Sequence, residues 1–80
     1  MTTDVILEKA KELVGAWSTE CEDLVNDIED YGFSAEFFGD YIEADCWADD
    51  IDDDYYVTFW VEWNGHSYVI TDVDGAMEDE

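Results

Sequence analysis

The clearest absence in the sequence is positive charge, since no Lys or Arg occurs after Lys11. Asp4 and Glu8 balance Lys9 and Lys11, so residues 12–80 carry the whole net charge of −22. Carboxylates at this density repel one another in a compact chain and oppose folding. Such a charge indicates that a binding partner compensates it. A protein surface that binds nucleic acid phosphates would be such a partner.

Other absences narrow the function further. The sequence contains no proline. Residues 1–17 contain no long apolar run, so we expect neither a secretory signal nor a membrane span. The expected compartment is the cytosol. Cys21 and Cys46 are not part of a CxxC motif, and they are not spaced from the single His66 as metal ligands would be. The sequence therefore favours buried free thiols over a disulfide or a metal site. Because no nucleophile–base, P-loop or dinucleotide-binding signature is present, we expect a non-enzyme without a cofactor.

The aromatic content argues against a disordered acidic tail. Disordered chains have low hydrophobicity and few aromatic residues. This chain is 48% hydrophobic and 16% aromatic, with four Trp, five Tyr and four Phe. We therefore expect residues 1–80 to fold as a single acidic domain with a modest core.

The N-terminal third has helical periodicity. Gly15 to Ser18 could break the helix in two, but the apolar stripe runs through this segment, so the pattern fits one long helix or two. Thr3 could cap the start, Thr19 with Glu22 matches a capping box, and Gly32 is a typical stop. The apolar stripe consists of Ile6, Ala10, Leu13, Trp17, Cys21, Leu24 and Ile28.

After Gly32 the apolar period changes to two, which predicts strands. Asn64-Gly65 is a type I′ hairpin signal between Tyr55 to Trp63 and His66 to Val73. This turn predicts a shared core face of Val57, Phe59, Val61, Tyr68 and Ile70, with Val61 opposite Tyr68 and Phe59 opposite Ile70.

A second hairpin is predicted at Gly39-Asp40, and a short helix from Ala35 is its rival. The hairpin is favoured because it places apolar residues opposite one another on one face, namely Phe37 with Ile42, Ala35 with Ala44, and Phe33 with Cys46. The expected fold class is α+β, with an N-terminal amphipathic helix or two helices packed on a three- to four-stranded antiparallel β-meander.

Eleven acids are the predicted partner-binding residues, and they fall into three groups. The first group repeats at helical spacing beside the apolar stripe and comprises Glu20, Asp23, Asp27 and Asp30. The second alternates with Ala44 and Cys46 on the outer face of a strand and comprises Glu43, Asp45 and Asp49. The third crowds the following loop; it shares Asp49 with the second group and adds Asp50, Asp52, Asp53 and Asp54.

Several acids oppose local stability, which favours a functional use over a merely solvated surface. Asp27, Glu29 and Asp30 lie in the last helical turn, where the helix dipole disfavours negative charge. Glu36 faces Glu43 in the predicted hairpin, and like charges directly opposite each other are destabilising. Broken local rules of this kind are expected at functional sites.

Two other origins of the charge fit less well. Salt adaptation enriches acids but does not explain their clustering. Calcium binding needs oxygen ligands at set spacing, and neither residues 50–54 nor residues 72–75 reproduce the EF-hand pattern. A low-affinity calcium-binding module therefore stays as a minor alternative, and no specific metal ligand is predicted.

In size, charge and cytosolic character the chain resembles the DNA-mimic inhibitors of phages and mobile elements, such as anti-CRISPR and anti-restriction proteins and the uracil-DNA glycosylase inhibitor. The residues that carry this resemblance are Glu20, Asp23, Asp27, Asp30 and the acids of residues 49–54. The resemblance implies that the protein occupies the basic DNA-binding channel of a host defence complex, with a CRISPR effector as the leading target. It implies no direct contact with nucleic acid or membrane.

An immunity-type or regulatory protein that binds one basic protein, such as a nuclease, away from its DNA site is the alternative function. The predicted register places Tyr56 and Trp60 on the outer sheet face, with Trp47 beside Glu43 and Asp45. Aromatic residues ringed by charge are typical of interaction hot spots. Burial of the same rings against an unpredicted element, or in a homodimer, would be the other ways to cover them.

Overall fold

The computed structural model describes residues 1–76, so the last four residues of the predicted 1–80 domain lie outside the described part. The described elements are α1 (Thr3–Lys11), β1 (Trp17–Ser18), α2 (Cys21–Asp30), β2 (Ser34–Phe37), β3 (Tyr41–Ala48), β4 (Asp53–Trp63) and β5 (Tyr68–Ala76). The strands form one antiparallel sheet in the order β1-β5-β4-β3-β2. The predicted α+β class is confirmed, although this part of the chain has five strands and not three or four.

Both helices begin differently from the prediction. Thr2, and not Thr3, caps α1, because its hydroxyl accepts a hydrogen bond from the Val5 N–H at 3.4 Å. The predicted capping box at Thr19 is wrong, since Glu20 occupies the N-cap of α2 and its side chain makes no capping hydrogen bond. The predicted stop at Gly32 is confirmed by a φ of 102°, which glycine adopts without steric cost.

The segment between the helices explains the extra strand. Gly15, at a φ of 96°, donates its N–H to the Ile70 carbonyl at 2.8 Å, and Ile70 in turn donates to the Ala16 carbonyl at 2.9 Å. This pairing pulls residues 17–18 onto the edge of the sheet as β1. Trp17, predicted to lie on the buried stripe, is therefore 65% exposed.

The hairpin at Gly39-Asp40 is confirmed, and the rival helix from Ala35 is wrong. Ala35 pairs with Ala44 and Phe37 with Ile42, as predicted. Phe33 lies just before β2, and it is buried against Phe59 with ring centroids 6.1 Å apart.

The second hairpin has the predicted face but a different register. Val61 pairs with Ile70 and not with Tyr68, because the loop spans residues 64–67 and Asn64 Oδ1 accepts hydrogen bonds from the N–H groups of His66 and Ser67. A shift of two residues keeps every side chain on its predicted face. A bulge at residue 71 then reverses the alternation, so Val73, and not Ile70, lies opposite Phe59.

The core lies between the helices and one face of the sheet. α1 contacts β3, β4 and β5, whereas α2 contacts β1 and β2. We call the opposite side of the sheet the outer face; its side chains are exposed or half-buried. Neither helix of residues 1–76 has the length and apolar character needed to cross a bilayer. The core residues on helices and in loops are Ile6, Ala10, Leu13, Leu24, Ile28 and Phe33, and those on strands are Ile42, Ala44, Ala48, Tyr55, Val57, Phe59, Val61, Ile70 and Val73.

Candidate partner-binding surface

The structure separates the eleven predicted acids into three places. The helix column, Glu20, Asp23, Asp27 and Asp30, is exposed along α2 on the helical side of the molecule. The outer face of the sheet holds Glu43, Asp45 and Asp54. The turn after β3 and the first residue of β4 hold Asp49, Asp50, Asp52 and Asp53.

Like charges lie side by side on the outer face. Glu36 pairs directly with Glu43, as predicted, and the same row continues through Thr58 to Asp74 on β5. Directly opposed like charges destabilise a sheet. The one ion pair among residues 1–76 lies elsewhere, at the N-terminus, so the chain supplies these outer-face carboxylates with no cation.

Three outer-face aromatic rings each have a carboxylate as their cross-strand partner. Tyr56 pairs with Asp45 and Trp47 with Asp54 across β3 and β4, and Trp60 pairs with Asp72 across β4 and β5. The rings are 47%, 52% and 41% exposed, respectively, which confirms their predicted outer-face position. We call these the three ring–carboxylate pairs.

Neighbouring contacts hold Trp60 in a fixed orientation. Its indole Nε1 donates a hydrogen bond to Asp74 Oδ2 at 3.0 Å. Its ring lies 5.6 Å from that of Tyr41, which stacks on Phe38 at 5.4 Å. The ring is therefore preorganised, so a partner would immobilise little further side-chain freedom on binding.

The electrostatics of the outer face show crowding of negative charge. Partial burial, with Asp54 and Glu43 nearby, raises the pKa of Asp45 above its usual value. Asp54 also raises the pKa of the Tyr56 hydroxyl, together with partial burial and the charges of Asp45, Asp53 and Glu43. Both shifts mean that this surface disfavours further negative charge and would favour an incoming cation.

The helix column is exposed but differs in its surroundings. Leu24 and Ile28 anchor α2 in the core, and Asp27 and Asp30 are exposed beside this buried stripe. Asp23 accepts a hydrogen bond from the Ser18 hydroxyl at 2.9 Å. No aromatic side chain of α2 itself accompanies these acids, which makes the column a plain carboxylate row.

Two loop acids have a structural role that the sequence did not predict. Asp49 lies in the turn after β3, not on the strand, and its Oδ2 is 2.7 Å from the Met1 ammonium. Asp50 accepts hydrogen bonds from the Thr3 N–H at 3.0 Å and the Thr3 hydroxyl at 2.8 Å. Both carboxylates therefore fasten the start of α1 to the sheet.

The pKa values of these two acids agree with that role. A hydrogen bond and the charge of the Met1 ammonium lower the pKa of Asp49 below its usual value. Desolvation opposes the same change at Asp50, but hydrogen bonds from Thr3 and from the Asp50 and Ile51 backbone outweigh it and lower the pKa of Asp50. The ionised forms are thus stabilised by the fold.

We expect Asp50→Ala to unfold at a lower urea concentration than wild type, because it removes the carboxylate that accepts hydrogen bonds from the Thr3 N–H and hydroxyl at the start of α1. Asp52→Asn is the matched control, since Asp52 has a φ of 54° in the same loop and Asn tolerates that conformation well. Urea unfolding of both variants measures the difference. Equal stability of the two variants would show that the Thr3 contacts contribute nothing.

The same loop offers little to a metal ion. Asp49 and Asp50 are engaged with the N-terminus, and Asp53 Oδ1 accepts from the Asp54 N–H at 2.8 Å. In residues 1–76 no group of three His, Cys, Asp or Glu side chains is arranged to hold an ion. The geometry of the described chain therefore gives the calcium alternative no support.

Some outer-face acids were absent from the predicted set. Glu36 faces Glu43, while Asp72 and Asp74 reach the outer face only because the bulge at residue 71 reverses the alternation of β5. The sequence holds a signal for this bulge, since Ile70 and Val73 are three positions apart where a regular strand would space them by two. With Glu62, these acids extend the carboxylate surface across β2 to β5.

Comparison with known proteins gives no relative, since no protein-family model, no curated protein and no solved structure matches the chain.

Proposed function

We propose that this protein is a DNA-mimic inhibitor, whose carboxylates take the place of phosphates in the basic DNA-binding channel of a host defence complex. The observation that carries the proposal is charge per unit length. The side chains of residues 1–76 include 21 acids against Lys9 and Lys11, a net charge of −19, on a body 40 Å long. That is one charge per about 2.1 Å, close to the value of roughly 1.7 Å of axis for duplex DNA.

The placement of the charge supports the same conclusion. Acids are exposed on the helical side through α2 and on the outer face through β2 to β5. A channel that surrounds a duplex contacts its backbone from several directions, so a mimic needs charge on more than one side. Along α2, Asp23, Asp27 and Asp30 place one carboxylate per roughly 5 Å, about one and a half times the 3.4 Å axial spacing of phosphates on one strand.

The charge is also retained against stability. Glu36 opposite Glu43, and Asp27 and Asp30 at the carboxyl end of α2, each oppose the local structure. Stability alone would select against such placements, whereas a cationic target would compensate them on binding.

The resemblance to phage and mobile-element inhibitors makes a CRISPR effector the leading target and the host cytoplasm the expected site of action. The alternative, an immunity-type or regulatory protein, is favoured by one specific observation: Trp47, Tyr56 and Trp60 are exposed as hot-spot residues would be. The two functions differ in whether the bound protein and bound DNA exclude each other.

We expect a purified CRISPR effector complex to bind either this protein or its target duplex, but not both. A labelled duplex is titrated against the protein at fixed effector concentration, and a mobility shift separates duplex-bound from inhibitor-bound complexes. Rising duplex concentration should restore duplex binding competitively. Restriction enzymes and a toxin nuclease, tested in parallel, identify the target class.

A matched control is an unrelated protein of similar size and net charge, which should not compete at the same concentration. A ternary complex of effector, duplex and this protein would reject mimicry and favour the immunity-type alternative. If pull-down from host cytosol retains only a nuclease whose DNA site stays open, the same conclusion follows.

A further inference from the structure

We infer that the outer face of the sheet is an arginine-recognition surface, in which each ring–carboxylate pair receives one guanidinium group of a basic partner protein. The inference rests on the proposed function only for the partner being basic. It assigns the principal contact to the sheet and not to the helix column, and it names the side chain that is recognised.

The ring–carboxylate pairs supply the two features that a guanidinium group requires. Cross-strand partners have Cβ atoms about 4.5–5.5 Å apart, so a ring face and a carboxylate are presented side by side. A guanidinium can stack on the ring while its N–H groups bond the carboxylate in a bidentate manner. Three such pairs occur on the outer face, Tyr56 with Asp45, Trp47 with Asp54, and Trp60 with Asp72.

A shallow depression lies beside the Tyr56–Asp45 pair, between residues of β2, β3 and β4. Its volume is about 270 Å³, and Ser34, Glu36, Glu43, Asp45 and Tyr56 contribute to its lining. Three carboxylates and one phenol ring therefore converge on a space open to solvent. Among residues 1–76 no cationic side chain pairs with them, as the only ion pair is at the N-terminus.

The geometry favours arginine over lysine. A guanidinium is planar, stacks on aromatic faces and matches the carboxylate fork, whereas an ammonium is a compact and strongly hydrated charge. The helix column has carboxylates without partner rings, so it should not distinguish the two cations. Selectivity for arginine is therefore the signature of the outer face.

Charge argues that the occupant is a basic partner and not a second copy of the chain. The outer face combines Glu36, Glu43, Asp45 and Asp54 with no compensating cation among the described residues. Two copies placed face to face would oppose these carboxylates at short distance, which is destabilising. A partner rich in arginine is complementary to the same surface.

The test is binding of an oligoarginine and an oligolysine peptide of equal length, measured by calorimetry at fixed ionic strength. We expect wild type to prefer the arginine peptide by about tenfold, the sum of modest stacking contributions at exposed rings. The triple variant Trp47→Leu with Tyr56→Leu and Trp60→Leu removes all three rings and keeps the carboxylates, so it should reduce arginine binding by about tenfold and bring the peptide preference close to one. Tyr56→Phe keeps the ring and should keep the preference.

Matched controls come from the same chain. Trp17→Leu removes an exposed ring whose cross-strand partner is Val69, and Glu12→Gln removes an exposed carboxylate that is outside the predicted partner-binding set. Both should change arginine binding by less than about twofold, the scale of a single exposed charge contact. Thermal melting of each variant verifies that it is folded, and the folded Tyr56→Phe protein gives a second reading of the ring's role.

Three results would overturn the inference: equal binding of the two peptides by wild type, equal losses of arginine binding in Glu12→Gln and Asp45→Asn, or a homodimer that Tyr56→Leu dissociates. Failure of this inference is distinguishable from failure of the proposed function. If wild type and the outer-face variant displace duplex from the target equally well, mimicry stands and arginine recognition fails. If wild type selects arginine peptides yet forms a ternary complex with the target and the duplex, arginine recognition stands and mimicry fails.

Discussion

Binding of the protein to its target is expected to weaken by about a hundredfold or more as the salt concentration rises from about 50 mM to about 200 mM. Each carboxylate that replaces a phosphate contact releases ions on binding, so the logarithm of affinity should fall linearly with the logarithm of salt. The measurement is the dissociation constant at several salt concentrations. A flat response would show that the carboxylates do not carry the binding energy.

Variants in which three carboxylates are neutralised should reduce the slope of log affinity against log salt in steps. The first variant removes three charges from the helix column by changing Asp23, Asp27 and Asp30 to Asn. The second removes three charges from the outer face by combining Glu43→Gln, Asp45→Asn and Asp54→Asn. Both variants should bind less tightly, with the greater loss at the outer face if the ring–carboxylate pairs dominate. Lys11→Gln, which removes a cation from α1, is the control and should bind as wild type does.

If both triple variants inhibit as well as wild type, the charge of these surfaces has no role in binding and mimicry is wrong. If only one variant is impaired, the target contacts one side of the molecule. A loss in both variants indicates that the target surrounds the protein, as a duplex-binding channel would. The same two proteins therefore report on function and on the extent of the contact surface.

The parts of the fold that could be predicted are those encoded by neighbouring residues. The turn at Gly39-Asp40 fixes its register because residues 35–37 and 42–44 are close along the chain. The edge strand β1 could not be found in this way, because its hydrogen bonds join Gly15 and Ala16 to Ile70. The register of β4 with β5 depends on the Asn64 side chain, whose bonds widen the loop.

For the candidate site, the sequence predicts where negative charge is dense but not which carboxylates are free. Asp49 and Asp50 are as acidic in sequence as Asp52, yet the fold engages them with Met1 and Thr3, 48 and 47 residues away. The reversal at residue 71 likewise decides that Asp72 lies beside Trp60 on the outer face. The contacts of Asp49 and Asp50 follow from tertiary packing and leave no local pattern, whereas the reversal at residue 71 is signalled by the spacing of Ile70 and Val73.

Added salt is expected to stabilise the fold. Screening weakens repulsion among exposed carboxylates, and a gain of about 1 kcal/mol raises the melting temperature of a domain of this size by about 4–8 °C. We expect at least that rise between about 10 mM and about 500 mM sodium chloride, where the Debye length falls below the spacing of many acids. The double variant Asp27→Asn with Asp30→Asn should have a higher melting temperature than wild type, because it removes two charges that the dipole of α2 disfavours. Its melting temperature should also rise less with added salt.

As the pH is lowered from 7 to 2, the stability of the fold should first rise and then fall. Because the pKa of Asp45 in the folded state lies above its usual value of 3.8, the native form binds a proton first as the pH falls, and stability rises. The pKa values of Asp49 and Asp50 lie below 3.8, so the stability that their ionised forms provide is lost once the pH falls below that value. Asp45→Asn should flatten the rise on acidification, and Asp50→Asn should flatten the later fall. Melting curves measured from pH 7 to pH 2 test both the rise and the fall. A stability that falls steadily as the pH is lowered from 7 would show that repulsion among the outer-face carboxylates does not destabilise the fold.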